Sequence, residues 1–187
     1  RKDLLLSKRR PLFDKDILSN NPHFIDDFER VASKALAAKD YFLLVGPPGT
    51  GKTSRALRRM VEKFYASPDT QILLLAYTNR AVDEICSSLS AIVPSIDYIR
   101  VGSELSCEER YRPHLVENVL AFYDKRKDVR QRLSTCRVYV GTVASLSSKT
   151  ELFKLKRFDV AIVDEATQIL EPQLLWLLSA KSSDGRD

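Results

Sequence analysis

The sequence predicts an α/β fold built on a parallel sheet with helices on both faces, and three observations carry the prediction. Short continuous apolar runs, "YFLLV", "QILLLAY", "RVYVGT" and "FDVAIVDEA", alternate with helix-like segments. Such runs suit strands buried on both faces of a parallel sheet. The first run ends in the glycine-rich turn "GPPGTGKT", Gly46 to Thr53, and the last in the acidic pair Asp164-Glu165. In open α/β sheets, ligands gather at the C-terminal ends of strands, where both features fall.

The elements follow in order. Residues 1–22 are basic and then turn-rich, "SNNP", and read as a mobile arm or part of an upstream domain. "FIDDFERVASKALAA" spaces Phe24, Phe28, Val31, Ala35 and Ala38 as one apolar helical stripe. "YFLLV" is the first strand, and "KTSRALRRMVEKFYA" a helix stopped at Ser67-Pro68. "QILLLAY" is a strand, followed by the helix "NRAVDEICSSLSAI" with Thr78 or Asn79 as its N-cap. "DYIRVG" and "RVYVGT" are further strands. "FDVAIVDEA" is the last, with Val160, Ile162 and Val163 burying it, and "EPQLLWLLS" is a helix with Pro172 in its first turn. The alternation implies right-handed βαβ units. One charged section, residues 103–135, breaks the rhythm. It holds a helical pattern, "VENVLAFYDKRKDVRQRL", and reads as an inserted subdomain or a long crossover. The end "AKSSDGRD" reads as a loop or a disordered tail.

Composition sets the bounds. With 187 residues, 44% hydrophobic and 29% charged, the chain is ordinary for a globular domain with a real core. A formal charge of +5 suits a polyanionic partner or a merely basic surface. The three cysteines, Cys86, Cys107 and Cys136, lie far apart, which argues for reduced thiols in a cytoplasmic or nuclear protein. Two histidines are too few to complete a metal cluster around them. No apolar run approaches a membrane span, and the N-terminus is a poor secretory signal. The first residue is Arg1, so a piece of a longer protein is expected.

Gly46, Gly51, Lys52 and Thr53 complete G-x-x-x-x-G-K-[ST] between a strand and a helix. The spacing has a physical basis. Glycines let backbone N–H groups surround phosphate, and the helix adds its positive N-terminal end. Lys52 follows the β- and γ-phosphates, and the Thr53 hydroxyl joins the Mg²⁺ shell of a bound ATP. Pro47, Pro48, Gly49, Thr50 and Ser54 complete the nucleotide-binding stretch. Asp164 would hold Mg²⁺, through water, and Glu165 would accept a proton from the attacking water or orient it.

The phosphate loop alone leaves the job open, because ring-forming protein-remodelling ATPases carry the same loop. The distance from Lys52 to Asp164, with "ILLLAY", "DYIRV" and "RVYV" between, is longer than those machines use. Together with "AYTNRAVDEI", "YIRVG", "VYVGTVASL" and "VDEATQ", it makes the chain resemble a superfamily-1 helicase of the DEAxQ subgroup, which includes the nonsense-mediated-decay RNA helicase. The resemblance runs from about Phe24 to Leu178 and implies an incomplete first RecA-like domain over residues 23–187.

That resemblance implies roles. Gln168 would sense the γ-phosphate. Tyr77, Thr78 and Asn79, with Gly141 and Thr142, would face single-stranded DNA or RNA. Each has a structural alternative: core packing for Tyr77, a helix cap for Thr78-Asn79, a tight turn for Gly141-Thr142. The basic stretches at 8–10 and 124–132 suit either phosphate contact or a solvated face. The family's upstream adenine-reading Gln has no counterpart here, and Phe28 or Asp27 stands near its place. The resemblance also implies a second RecA-like domain, supplied by a missing C-terminal part, that brings arginine fingers. Alone, this chain is then expected to be a weak ATPase that does not unwind. The alternative function is an AAA+-type or other protein-remodelling ATPase.

Overall fold

The computed structural model describes residues 8, 10–16, 26–170 and 172–173. Phe24, the "SNNP" turn, most of "EPQLLWLLS" and the "AKSSDGRD" tail lie outside the described residues. The chain forms two compact units divided between Ser67 and Pro68.

In the first unit, helix α1 spans Asp27–Ala37. The Asp26 carboxylate accepts from the Glu29 N–H at 2.7 Å and caps it. Its buried line runs through Ala32, Ser33, Ala35 and Ala37, while Phe28 and Val31 are half-buried. Residues 12–14 of the basic arm are strapped to the end of this helix. Asp14 N–H donates to the Ala37 carbonyl at 2.7 Å and Lys39 N–H to that of Leu12 at 2.9 Å.

The strand expected at "YFLLV" is not one. Residues 41–45 form no ladder, and Leu43 and Val45 are 75% and 92% exposed. A strand exists only by hydrogen bonding to a neighbour. Among the described residues of this unit the sole pairing is the isolated bridge between Phe13 and Ala38. The following helix is also irregular. It opens as a π-helical segment, Lys52–Leu57, in which the Gly51 carbonyl accepts from both Arg55 and Ala56 N–H at 2.9 Å. It then becomes α2, Arg58–Tyr65.

The second unit contains the sheet. Its strands are β1 (Ile72–Ala76), β2 (Tyr98–Val101), β3 (Val138–Thr142) and β4 (Val160–Val163). All pair in parallel in the order β2-β3-β1-β4. Central β1 is wholly buried, as a two-sided apolar run requires. By contrast Val160, Ile162 and Val163 are only half-buried and Ala161 is exposed, correcting the expectation that they bury their strand. Among the described residues β4 is an edge strand paired with β1 alone, so part of its surface is left uncovered. Leu73, Leu75, Ile99, Tyr139, Val143 and Leu146 form the centre of the core.

Helix α3 (Asn79–Ser90) follows β1. The charged section holds two short 3₁₀ turns, Glu104–Ser106 and Glu109–His114, then α4 (Val116–Leu120) and α5 (Arg126–Thr135). The single helix read from "VENVLAFYDKRKDVRQRL" is thus broken. A turn closed by Tyr123 N–H on the Leu120 carbonyl, at 3.0 Å, ends α4. α5 is anchored from outside itself. Arg132 grips Asp97 with two 2.8 Å bonds, and buried Lys156 donates to the Ser134 and Cys136 carbonyls at its C-terminal end. Short helices α6 (Val143–Ser147) and α7 (Thr150–Leu155) lead to β4.

The three thiols are buried. Burial pushes Cys86 up to about 12 and Cys136 up to about 11, so neither is reactive near neutrality. No helix among the described residues is long and apolar enough to cross a membrane.

Candidate nucleotide and nucleic-acid sites

The phosphate loop sits in the first unit. Gly49 and Gly51 have φ of 77° and 81°, the left-handed region that glycine enters without strain. They turn the chain into the helix at Lys52, whose N-terminus no side chain caps. Its first N–H groups therefore lack the usual side-chain acceptor. The Lys52 ammonium folds over the loop and donates to the carbonyls of Gly46 at 2.5 Å and Pro47 at 2.7 Å. Thr50 also ties back, its hydroxyl donating to the Pro47 carbonyl at 2.8 Å. Pro47, Pro48, Gly49 and Thr50 are exposed, as is Ser54, while Gly46, Gly51, Lys52 and Thr53 are half-buried. An open, glycine-hinged turn with one cation over it and an uncapped helix behind it fits a polyphosphate.

The acidic pair sits in the second unit, directly after β4. Asp164 N–H extends the ladder by donating to the Leu75 carbonyl at 2.8 Å. Glu165 then turns left-handed, with φ of 50°, and its N–H donates to the Asp164 carboxylate at 3.0 Å. A non-glycine residue in this region is strained, and such strain collects at functional turns. The turn ends the strand sharply and starts the 3₁₀ segment Ala166–Gln168. Glu165 and Gln168 are exposed and Asp164 is half-buried. Among the described residues no three His, Cys, Asp or Glu side chains gather as a metal cage. Magnesium held with a nucleotide does not need one, since phosphate oxygens, water and one or two protein oxygens complete its shell.

Parallel register brings the remaining candidates to the same end of the sheet. Ala76 pairs with Thr142, and Leu75 with both Gly141 and Val163. Tyr77, Thr78, Asn79, Gly141, Thr142, Asp164 and Glu165 therefore all lie at the C-terminal ends of adjacent strands. Tyr77 is 48% exposed, so it is not a core residue. Thr78 caps α3, its hydroxyl accepting from Ala81 N–H at 3.1 Å. Thr142 caps α6 in the same way, accepting from Ser145 N–H at 3.0 Å. Two threonine-capped helix starts thus stand on neighbouring strands. Asn79 is exposed, and Thr142 is buried.

Gly141 has a separate reason to be glycine. A Cβ there would stand 2.7 Å from the Val101 carbonyl oxygen, closer than backbone allows. Gly141→Ala is expected to cost roughly 1–3 kcal/mol by forcing β2 and β3 apart. Urea unfolding of the variant measures this directly, and an unchanged midpoint would show that the close approach is not real.

One feature escaped the sequence reading. Arg100, in the middle of β2, is 1% exposed and pairs with Asp83 of α3. It also donates to the Ser106 carbonyl at 3.3 Å. Burial opposes the charge on Arg100 most strongly, yet the Asp83 carboxylate and the neighbouring Cys86 and Cys107 together outweigh it and keep the guanidinium pKa above its ordinary value. The pair fixes the helix that begins at Thr78-Asn79 to the neighbouring strand. An arginine inside the apolar "YIRVG" was the available signal.

Comparison with known proteins identifies relatives of the chain. A family model described as an AAA domain matches residues 24–127. The chain is 32% identical over 181 residues to the DNA replication ATP-dependent helicase/nuclease JHS1 of Arabidopsis thaliana, covering 90% of this chain and 13% of that protein. It is 30% identical over 187 residues to the DNA replication ATP-dependent helicase/nuclease DNA2 of Bos taurus, covering 93% and 17%. It is also 30% identical over 137 residues to the RNA helicase Mov10l1 of Mus musculus, covering 72% and 11%. The chain thus spans only a small part of the length of these curated relatives.

Proposed function

We propose that this chain, which belongs to the superfamily-1 helicases in the group of the DNA2-like enzymes, is the ATP-binding half of a motor that moves along single-stranded DNA or RNA. The observation that carries this reading is the parallel register that sets the acidic turn beside two helix N-termini. Hydroxyl and amide groups at helix N-termini suit sequence-blind phosphate contacts. Each relative reported above is named a helicase, which favours a nucleic-acid motor over a protein-remodelling ATPase.

In this reading Lys52 and the loop amides hold the β- and γ-phosphates of ATP. Thr53 and Asp164 are each proposed as Mg²⁺ ligands, and the ion, when bound, would neutralise charge developing on the phosphate oxygens. Glu165 takes a proton from the attacking water or orients it, and Gln168 senses the γ-phosphate. Tyr77 offers a face for a base, and Thr78, Asn79 and the Gly141-Thr142 turn face the strand backbone. A second RecA-like domain supplies arginines and the other wall of the groove. The parent protein acts in the nucleus or cytoplasm.

The test is the ATPase rate of the full-length parent with and without single-stranded DNA and RNA oligonucleotides. Stimulation by at least one polymer is expected, and the more effective polymer names the substrate. Indifference to both would overturn the motor reading.

A further inference from the structure

Parallel pairing gathers the turns that follow the strands at one edge of the sheet. The turn after β1 is Tyr77, Thr78, Asn79 and Arg80. Those after β2, β3 and β4 run "GSEL", "VASL" and "DEAT". The charged side chains of these described turns are the carboxylates of Glu104, Asp164 and Glu165 and a single cation, Arg80. A polyanion that approaches this edge therefore meets an excess of negative charge. Glu104 is offset by an ion pair with Arg112 at 3.5 Å. Within the turns themselves, Arg80 is the group that can attract a phosphate.

Arg80 is poorly placed for stability and well placed for an anion. Its side chain is 89% exposed, and its Nε lies 3.7 Å from the Glu84 carboxylate, longer than a hydrogen bond. That pair sets the cation one turn before the anion, the weaker order on a helix. Arg80 also stands in the first turn of α3, which holds no acidic residue, so its charge opposes the helix dipole. A phosphate reverses both faults. It accepts the guanidinium fork bidentately and brings the negative charge that this turn lacks. Tyr77, on the strand side of the Thr78 cap, adds a half-exposed ring. The neighbouring hydroxyls are engaged in the turns. Thr78 accepts from Ala81 N–H, and Thr142 both accepts from Ser145 N–H and donates to the Ser145 hydroxyl at 2.9 Å. Neither threonine carries charge, so only the guanidinium can displace the counterions condensed on a nucleic acid.

We propose that Arg80 is the charged phosphate contact of this edge and neutralises one backbone phosphate of a single strand lying beside Tyr77. The inference rests on the nucleic-acid reading above. It adds to that reading the residue that supplies the charge.

Fluorescein-labelled oligo-dT and oligo-U, titrated with the full-length protein across a series of KCl concentrations and read by anisotropy, test it. Each phosphate neutralised on a single strand steepens the slope of log K against log[KCl] by about 0.7. Arg80→Gln is expected to flatten the slope by about that amount and to weaken low-salt binding roughly five- to tenfold. A smaller folded fraction lowers apparent affinity but not this slope, so the slope separates a lost contact from a fold defect. Arg80→Lys retains the charge, so its slope is expected to match the wild type while its affinity falls with the loss of the bidentate fork. Glu84→Gln releases the arginine and is expected to keep the slope and bind at least as tightly as the wild type. An unchanged slope in Arg80→Gln would overturn the proposal. So would equal weakening in Arg80→Gln and Glu84→Gln, which would trace the effect to their ion pair. A wild-type protein that binds neither oligonucleotide would sink the nucleic-acid reading itself, and the role of Arg80 with it.

Discussion

Replacing Asp83 with alanine is expected to destabilise the protein by about 3–5 kcal/mol, the usual cost of leaving one partner of a buried ion pair alone. Arg100 is 1% exposed, and its Nε has no hydrogen-bond partner. Without Asp83 the guanidinium would keep only the 3.3 Å bond to the Ser106 carbonyl and a 3.9 Å contact with Cys86 Sγ. Desolvation would then go largely uncompensated. Removing both charges, as in Asp83→Leu with Arg100→Leu, is expected to cost less than Asp83→Ala, because two apolar groups carry no such penalty. A double-mutant cycle in urea, read by far-UV dichroism, measures the coupling. A loss below about 1 kcal/mol for Asp83→Ala would mean that solvent reaches the pair after all. Because α3 begins at Thr78-Asn79, the variant is also expected to weaken nucleic-acid binding in step with its loss of fold.

The second large effect is catalytic and separates two roles. In the full-length protein Glu165→Gln is expected to bind nucleotide as the wild type does but to hydrolyse it roughly 10²–10⁴-fold more slowly, the span ascribed to general acid–base catalysis. Lys52→Ala is expected to lose binding itself, since the ammonium folded over the loop is gone. Phosphate release at saturating ATP, set beside equilibrium binding of a fluorescent analogue, distinguishes the two. Wild-type turnover in Glu165→Gln would remove Glu165 from the chemistry and leave its left-handed turn as an architectural device only.

Much of this was legible because apolar periodicity and motif spacing are local signals. The runs at 72–76, 98–101, 138–142 and 160–163 became parallel strands. "YFLLV" looked equally strand-like, but pairing depends on a partner distant in sequence, and a run of apolar residues cannot say whether one is present. The break between α4 and α5 escaped for a similar reason. α5 is held by Asp97 and Lys156 from other elements, not by a stripe of its own. In the site, glycine spacing located the phosphate loop and the Asp-Glu pair located the acidic turn. The strained φ of Glu165 was invisible, because it arises from how a turn closes.

In the nucleotide site proposed above, the hold of Lys52 on the carbonyls of Gly46 and Pro47 would make nucleotide capture an exchange and not an addition. A phosphate that recruits this ammonium must replace two charge-assisted bonds of 2.5 and 2.7 Å that the loop already supplies. A singly charged anion offers little beyond what those carbonyls give. A polyphosphate, with several negative oxygens to set against the lysine and the helix N-terminus together, offers much more. In that proposal the loop's own backbone is an internal competitor, setting a threshold of charge below which passing anions would leave the lysine where it is.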